Sequence, residues 1–164
     1  MKRVAANDRV AIHQEGVKHH QSGDFASAFE YYTKAAELGD AEAHYLLSLL
    51  YGKGQVVEKG EKKGLYHLEE AAIAGHPEAR NILACYEERK GRIDRAVKHY
   101  IIAANLGYDL SIQSLKGCYK GGKVGKEDFA AALRRHQAAV DATKSPQREA
   151  ASIAQAAGKF RSSG

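Results

Sequence analysis

A twelve-residue stretch, Ala28 to Gly39 (AFEYYTKAAELG), returns along this chain at nearly constant spacing, and that return limits the fold more than any other feature. Its copies run from Gly64 to Gly75 (GLYHLEEAAIAG), Ala96 to Gly107 (AVKHYIIAANLG) and Ala132 to Thr143 (ALRRHQAAVDAT), so the first position recurs in steps of 36, 32 and 36 residues. A second motif, best developed from Ala43 to Tyr51 (AHYLLSLLY), fills the gaps, with weaker copies from Ala11, Ala79 and Ser111 in steps of 32, 36 and 32. Two alternating helical motifs at a period near 34 specify a helical solenoid, because a helix pair of this size buries its apolar face only by stacking on neighbouring pairs.

Punctuation sets the helix boundaries. Asn7 or Asp8 caps a first helix that runs to about Gln21, and Ser22-Gly23-Asp24 ends it and caps the next. The second helix, about 25 to 38, carries Phe25, Ala28, Phe29, Tyr32, Ala35 and Ala36 at spacings of three and four, which makes one apolar stripe. Gly39 suits the left-handed residue that closes a helix and Asp40 the cap of the third, about 41 to 52; the device returns at Gly75 with Pro77 and at Gly107 with Asp109. The third helix is apolar on most sides. Residues 52–60 read as a loop anchored by Val56 or Val57, and further helices are expected at about 61–74, 77–89, 92–106, 109–120 and 127–142. Ser145-Pro146 is expected to open a capping helix to about Ala157, with Ile153, Ala154 and Ala157 covering the end of the stack and residues 159–164 forming a tail.

The motif pair AxxxLxxxY, then AxxYYxKAAxxG, resembles the Sel-1-like repeat (SLR), a relative of the tetratricopeptide repeat, over roughly residues 8 to 143. Gly64 and Thr143 depart from the pattern's Ala and Gly, and Glu15 and Lys116 from its apolar or small positions. The resemblance implies an all-α, right-handed α-solenoid of antiparallel helix pairs, with units at about 8–39, 40–75, 76–107 and 108–143. It also implies a non-enzymatic scaffold or adaptor that binds a protein or peptide. The alternative it implies is a hydrolase or binder of cell-wall-type small compounds, as in some cysteine-rich bacterial relatives; their cysteines come in regular pairs within repeats, a pattern that Cys85 and Cys118 do not follow.

Composition agrees with one all-α domain over residues 1–158. The chain has 164 residues, 44% of them hydrophobic, and lacks Trp and any alternating β-branched run. Its formal charge of +5 is spread as Lys and Arg interspersed with Glu and Asp, which reads as a solvated surface and not as a nucleic-acid face. Met1 to Asp8 carries basic residues with no apolar core behind them, and no run approaches the roughly 18 apolar residues of a membrane helix. The expectation is a cytoplasmic protein with no membrane partner. Cys85 and Cys118 fall on first helices of consecutive pairs; such helices lie about 8–10 Å apart, beyond the ~7 Å that a disulfide spans, so both are expected to remain thiols.

The sequence offers little chemistry. His19 and His20 are adjacent and point about 100° apart on a helix, which rules out chelation of one ion by the two. His67 and His99 each lie three residues after the first position of their copies; without a carboxylate or thiol at matching spacing they are expected to pack, not to ligate. GKGQVVEKGEKKG lacks the GK[ST] of a phosphate loop and follows no strand. No catalytic residue, cofactor or metal ligand is assigned.

The likeness to tetratricopeptide relatives implies where a partner would sit, since in those proteins the first helix of each pair lines an inner groove. Carried over position by position, the stripe is Val10, His13, Val17, His20 and Gln21, then Glu42, Tyr45, Leu49, Gly52 and Lys53. It continues as Glu78, Asn81, Cys85, Glu88 and Arg89, then Leu110, Gln113, Gly117, Lys120 and Gly121. Of these, His13, His20, Tyr45, Lys53, Asn81, Glu88, Arg89, Gln113 and Lys120 are the residues expected to hold a partner.

Overall fold

The computed structural model describes residues 8–54, 56 and 60–161, apart from the side chains of 145, 148, 149, 151, 152 and 154–161. Among the described residues there are eight helices and no strand: α1 (Arg9–Gln21), α2 (Phe25–Glu37), α3 (Ala41–Lys53), α4 (Glu61–Ile73), α5 (Pro77–Arg89), α6 (Ile93–Asn105), α7 (Asp109–Lys120) and α8 (Lys126–Arg161). Packing divides the chain into two compact units, Met1–His99 and Tyr100–Gly164.

The anticipated caps form for local reasons. Asp8 accepts from the backbone N–H of Val10 and Ala11, Asp24 from Ser27 and Asp40 from Ala43, each satisfying donors that the opening turn leaves free. Gly39 and Gly75 take φ of +79° and +92°, a conformation that costs a residue with a Cβ atom. Two caps differ from expectation. His76 caps α5 by accepting from Ala79 N–H, with Pro77 at the first helical position. Asp109 was expected as a cap, but Tyr108 holds that place without a side-chain bond. Asp109 sits in the first turn, where its charge meets the positive end of the helix and His136 Nε2 lies 2.8 Å from Oδ1.

In the first unit each of α1 to α4 packs on the next in chain order, as stacked pairs require. Ala28, Tyr32, Ala35 and Ala36 of α2 close against Ala43, Leu47 and Leu50 of α3. One repeat later Leu68, Ala71 and Ala72 of α4 close against Ala79 and Leu83 of α5. Every apolar side chain of α3 from Tyr45 to Tyr51 is at least half-buried, as its all-round apolar pattern predicts. In the second unit α7 packs on α8, and Ser111, Leu115, Cys118 and Ala132 are buried. Val56 is half-buried in the loop, while Val57 lies outside the described residues.

The C-terminal expectation is corrected. α8 runs unbroken from Lys126 to Arg161 through Pro146, so no separate helix opens at Ser145. Proline removes one backbone hydrogen bond, and the alanine-rich flanks are strong helix formers that carry the element past it. Ile153 is 65% exposed and does not serve as a cover. Ala154 and Ala157 lie outside the residues whose side chains are described.

Gly64, which replaces the motif's first Ala, yields a prediction. A Cβ there would meet Ser48 O at 3.4 Å and Tyr51 Cβ at 3.5 Å, which is ordinary contact. Glycine inside a helix costs about 0.5–1 kcal/mol against alanine, so Gly64→Ala should stabilise the first unit by about that amount in urea unfolding.

Candidate functional site

The expected stripe divides between the two units. His13, Val17, His20 and Gln21 of α1 and Glu42 of α3 line one open recess of about 290 Å³, together with Tyr32 and Leu46. His13 is half-buried and its Nδ1 lies 3.2 Å from Asp40 Oδ1, tying α1 to the cap of α3. His20 stands edge-on to Phe25 at 5.0 Å, and its buried Nδ1 meets no hydrogen-bonding group among the described residues. Such a nitrogen raises the cost of burial unless a ligand or water reaches it.

A second recess, of about 270 Å³, lies along α3, α4 and α5. Leu49, Gly52 and Arg89 of the stripe border it, with Leu65, Ile82 and Tyr86 as apolar walls. Asn81 is half-buried, while Lys53, Glu88 and Arg89 are exposed near the helix ends; Lys53 and Glu88 border neither recess. Tyr45 stacks on the ring of His76 with centroids 4.4 Å apart, and Glu42 Oε2 accepts from His76 Nε2 at 2.8 Å. The ring face of Tyr45 is therefore already engaged within the fold. Gln113 and Lys120 are exposed on α7 in the second unit. Cys85, half-buried, and Cys118, buried, are thiols.

His44, Arg80, Glu87 and Arg92 carry no functional expectation from the sequence, and they meet His67 and His99, which are expected only to pack. His44 of α3 is buried, and its Nδ1 lies 3.0 Å from Nδ1 of His67 on α4. One repeat later the same two positions hold Arg80 and His99, with Arg80 Nη1 donating to His99 Nδ1 at 3.3 Å. Each arrangement needs a neutral imidazole as acceptor. Burial, aided by the neighbouring His44, holds the His67 imidazole down to about 4; burial and then Arg80 lower His99. Glu87, only 5% exposed, is bonded by Arg92 and lies 3.2 Å from Arg95. The hydrogen bond from Arg92 is the main cause of its lowered pKa. Removing Arg92 alone would leave a buried carboxylate short of its partner.

The His67 shift gives a pH dependence. Between its ordinary value of 6.5 and about 4 the unfolded chain binds a proton at this residue that the folded chain does not. Its contribution is complete above pH 6.5, falls as pH drops through that window, and levels off below about 4. For a half-buried group the loss should be about 1–3 kcal/mol after screening. Chemical unfolding at a series of pH values, compared with His67→Asn, should show a shallower decline in the variant; parallel curves would contradict the shift.

Comparison with known proteins gives a consistent picture. The Sel1 repeat profile matches residues 4–40, 41–76 and 77–108. These boundaries fall on α1–α2, α3–α4 and α5–α6, and the matched residues end at 108, where the fourth expected unit, 108–143, begins. The crystal structure of a Sel1 repeat protein from Oxalobacter formigenes is similar, with a TM-score of 0.62 and 26% identity over 68% of this chain and 90% of that one. The c5321 protective antigen of uropathogenic Escherichia coli, which displays an SLR fold, is similar with a TM-score of 0.65 and 27% identity over 83% of this chain. The likeness spans 31% of the antigen's length. No curated protein sequence matches the chain.

Proposed function

The chain belongs to the Sel1 repeat family, whose repeats generally mediate protein–protein interactions, and we propose that it is a non-enzymatic scaffold that binds a protein or peptide along its first helices. The family is typically a non-catalytic repeat scaffold. The observation that carries the reading is the shared recess of α1 and α3. Stripe residues from two successive repeats, His13, His20 and Glu42 among them, border one opening with the half-buried, apolar Leu46 beside them and the buried Tyr32 behind. A recess with an apolar floor and a few polar groups on its rim suits a side chain of an extended partner. The α3–α5 recess repeats this arrangement one step along, with Arg89 at its edge.

Roles along the stripe are separable. Asn81 and Gln113 carry amides that can both donate to and accept from an extended backbone, whereas Arg89 and Lys120 favour acidic partners. With a partner isolated on the intact chain, Asn81→Ala and Gln113→Ala should each weaken binding by roughly 1–3 kcal/mol where the lost hydrogen bond is buried. Arg89→Glu should select among partners by charge, and its effect should shrink as salt is raised. Calorimetric titration at two ionic strengths measures both. A salt-independent Arg89→Glu, or amide variants that bind like the parent, would remove these residues from the interface.

A further inference from the structure

We propose that His44 and His67 form a chelating site for a divalent ion of the zinc and copper class, with two imidazole nitrogens on one ion and water in the remaining positions. The two rings face each other between α3 and α4, with Nδ1 atoms 3.0 Å and ring centroids 5.2 Å apart. On a tetrahedral ion with metal–nitrogen distances of about 2.0–2.1 Å, two such nitrogens stand about 3.3 Å apart and their ring centres about 5.2 Å. The ring centres are thus already at chelating distance, and a small tilt opens the nitrogens enough to admit the ion. In the metal-free pair one Nδ1–H donates to the other Nδ1. Binding moves that proton to Nε2 of the same ring, so both lone pairs face the ion with no net proton released.

The surroundings favour an ion there. His67 lies parallel to Tyr51, with centroids 5.6 Å apart at 12°, and meets the edge of Tyr66 at 5.1 Å, so its ring is held before binding. Burial keeps His67 neutral, the form that ligates, throughout the neutral range. The pair opens on a cavity of about 430 Å³ whose walls include Glu37, Glu70 and Thr33. That space admits water ligands, and the two carboxylates give its wall negative charge. Among the described residues no group of three or more His, Cys, Asp or Glu is placed to hold an ion, so the site is open and exchangeable, unlike a four-ligand structural zinc. Paired imidazoles select Zn²⁺ or Cu²⁺ over Mg²⁺. The next repeat lacks the capacity, because Arg80 replaces His44 opposite His99 and a guanidinium has no lone pair to offer.

The whole chain, freed of metal with EDTA and dialysed, is titrated with Zn²⁺ in a calorimeter and by thermal unfolding, with Mg²⁺ as control. One equivalent of Zn²⁺ should bind and raise Tm, while Mg²⁺ should do neither. His44→Gln and His67→Gln should each weaken Zn²⁺ binding by about tenfold or more, and His19→Gln with His20→Gln should leave it unchanged. Imidazole resonances of the unaltered protein give a reading that does not depend on the variants folding: those of His44 and His67 should shift on adding Zn²⁺, while those of the other six histidines hold. Unchanged affinity in His67→Gln, or shifts confined to other histidines, would overturn the site.

Discussion

Ala71→Trp should abolish cooperative folding of the first unit at moderate temperature, and Ala35→Trp should do nearly the same. Both alanines have no exposed surface, and each lies at the seam where one helix closes on the next. They recur with Ala103, also fully buried, at the same position of successive motif copies. Packed interiors leave no room for added atoms, and even modest overpacking costs about 1–3 kcal/mol. An indole introduces far more volume than that range covers, against a total stability of about 5–15 kcal/mol for a typical domain. Circular dichroism melting decides it. Tm values equal to the parent's in both variants would remove these positions from the interhelical seam.

Gly16→Ala should destabilise the same unit, although alanine is the better helix former. A Cβ on Gly16 would lie 2.7 Å from Tyr32 Cε1, 2.8 Å from Cδ1 and 3.2 Å from Tyr31 Cβ, distances that demand movement. The ring of Tyr32 is buried and flanked by His13 and His20, so it cannot swing aside without opening the α1–α2 contact. Helix propensity returns about 1 kcal/mol, and overpacking at so close an approach takes the upper part of about 1–3 kcal/mol, so the loss prevails. The same substitution at Gly64 should have the opposite sign, which makes the two glycines a matched pair. Stabilisation by both, in urea unfolding, would mean that α1 lies farther from Tyr32 than the geometry states.

Much of the fold was legible because short-range signals repeat. Gly39 followed by Asp40, and Gly75 with Pro77 two residues on, mark helix boundaries through backbone conformation and capping, which are local properties. The buried stripe of α2 was legible because Ala28, Tyr32, Ala35 and Ala36 recur at spacings of three and four, the period of one helix face. Long-range placement was less so. His67 was in view through its register, yet its partner His44 emerges only from how α3 crosses α4. His76 occupies the slot that Asp40 holds one repeat earlier, but imidazole is an uncommon cap and does not announce itself. The approach of Tyr32 to Gly16 depends on how α1 meets α2 and leaves no local mark in the sequence. Ser145-Pro146 reads as the opening of a new helix, and the alanine-rich run around it carries α8 through. Of the stripe expected to hold a partner, His13, His20 and Arg89 border recesses in the first unit, whereas the Tyr45 ring stacks on His76, a pairing set by how the helices cross and carried by no local signal.

The face that binds is open to a direct measurement. With a partner isolated on the intact chain, dissociation constants are compared for two sets of folded variants. One set alters the first helices, Asn81→Ala and Arg89→Glu. The other alters exposed residues of the second helices, Glu30→Lys on α2 and Lys98→Glu on α6. Binding along the first helices predicts losses of roughly tenfold or more in the first set and near-parental affinity in the second. Parental affinity in the first set, with binding abolished by Glu30→Lys or Lys98→Glu, would contradict that placement and assign the partner to the second helices.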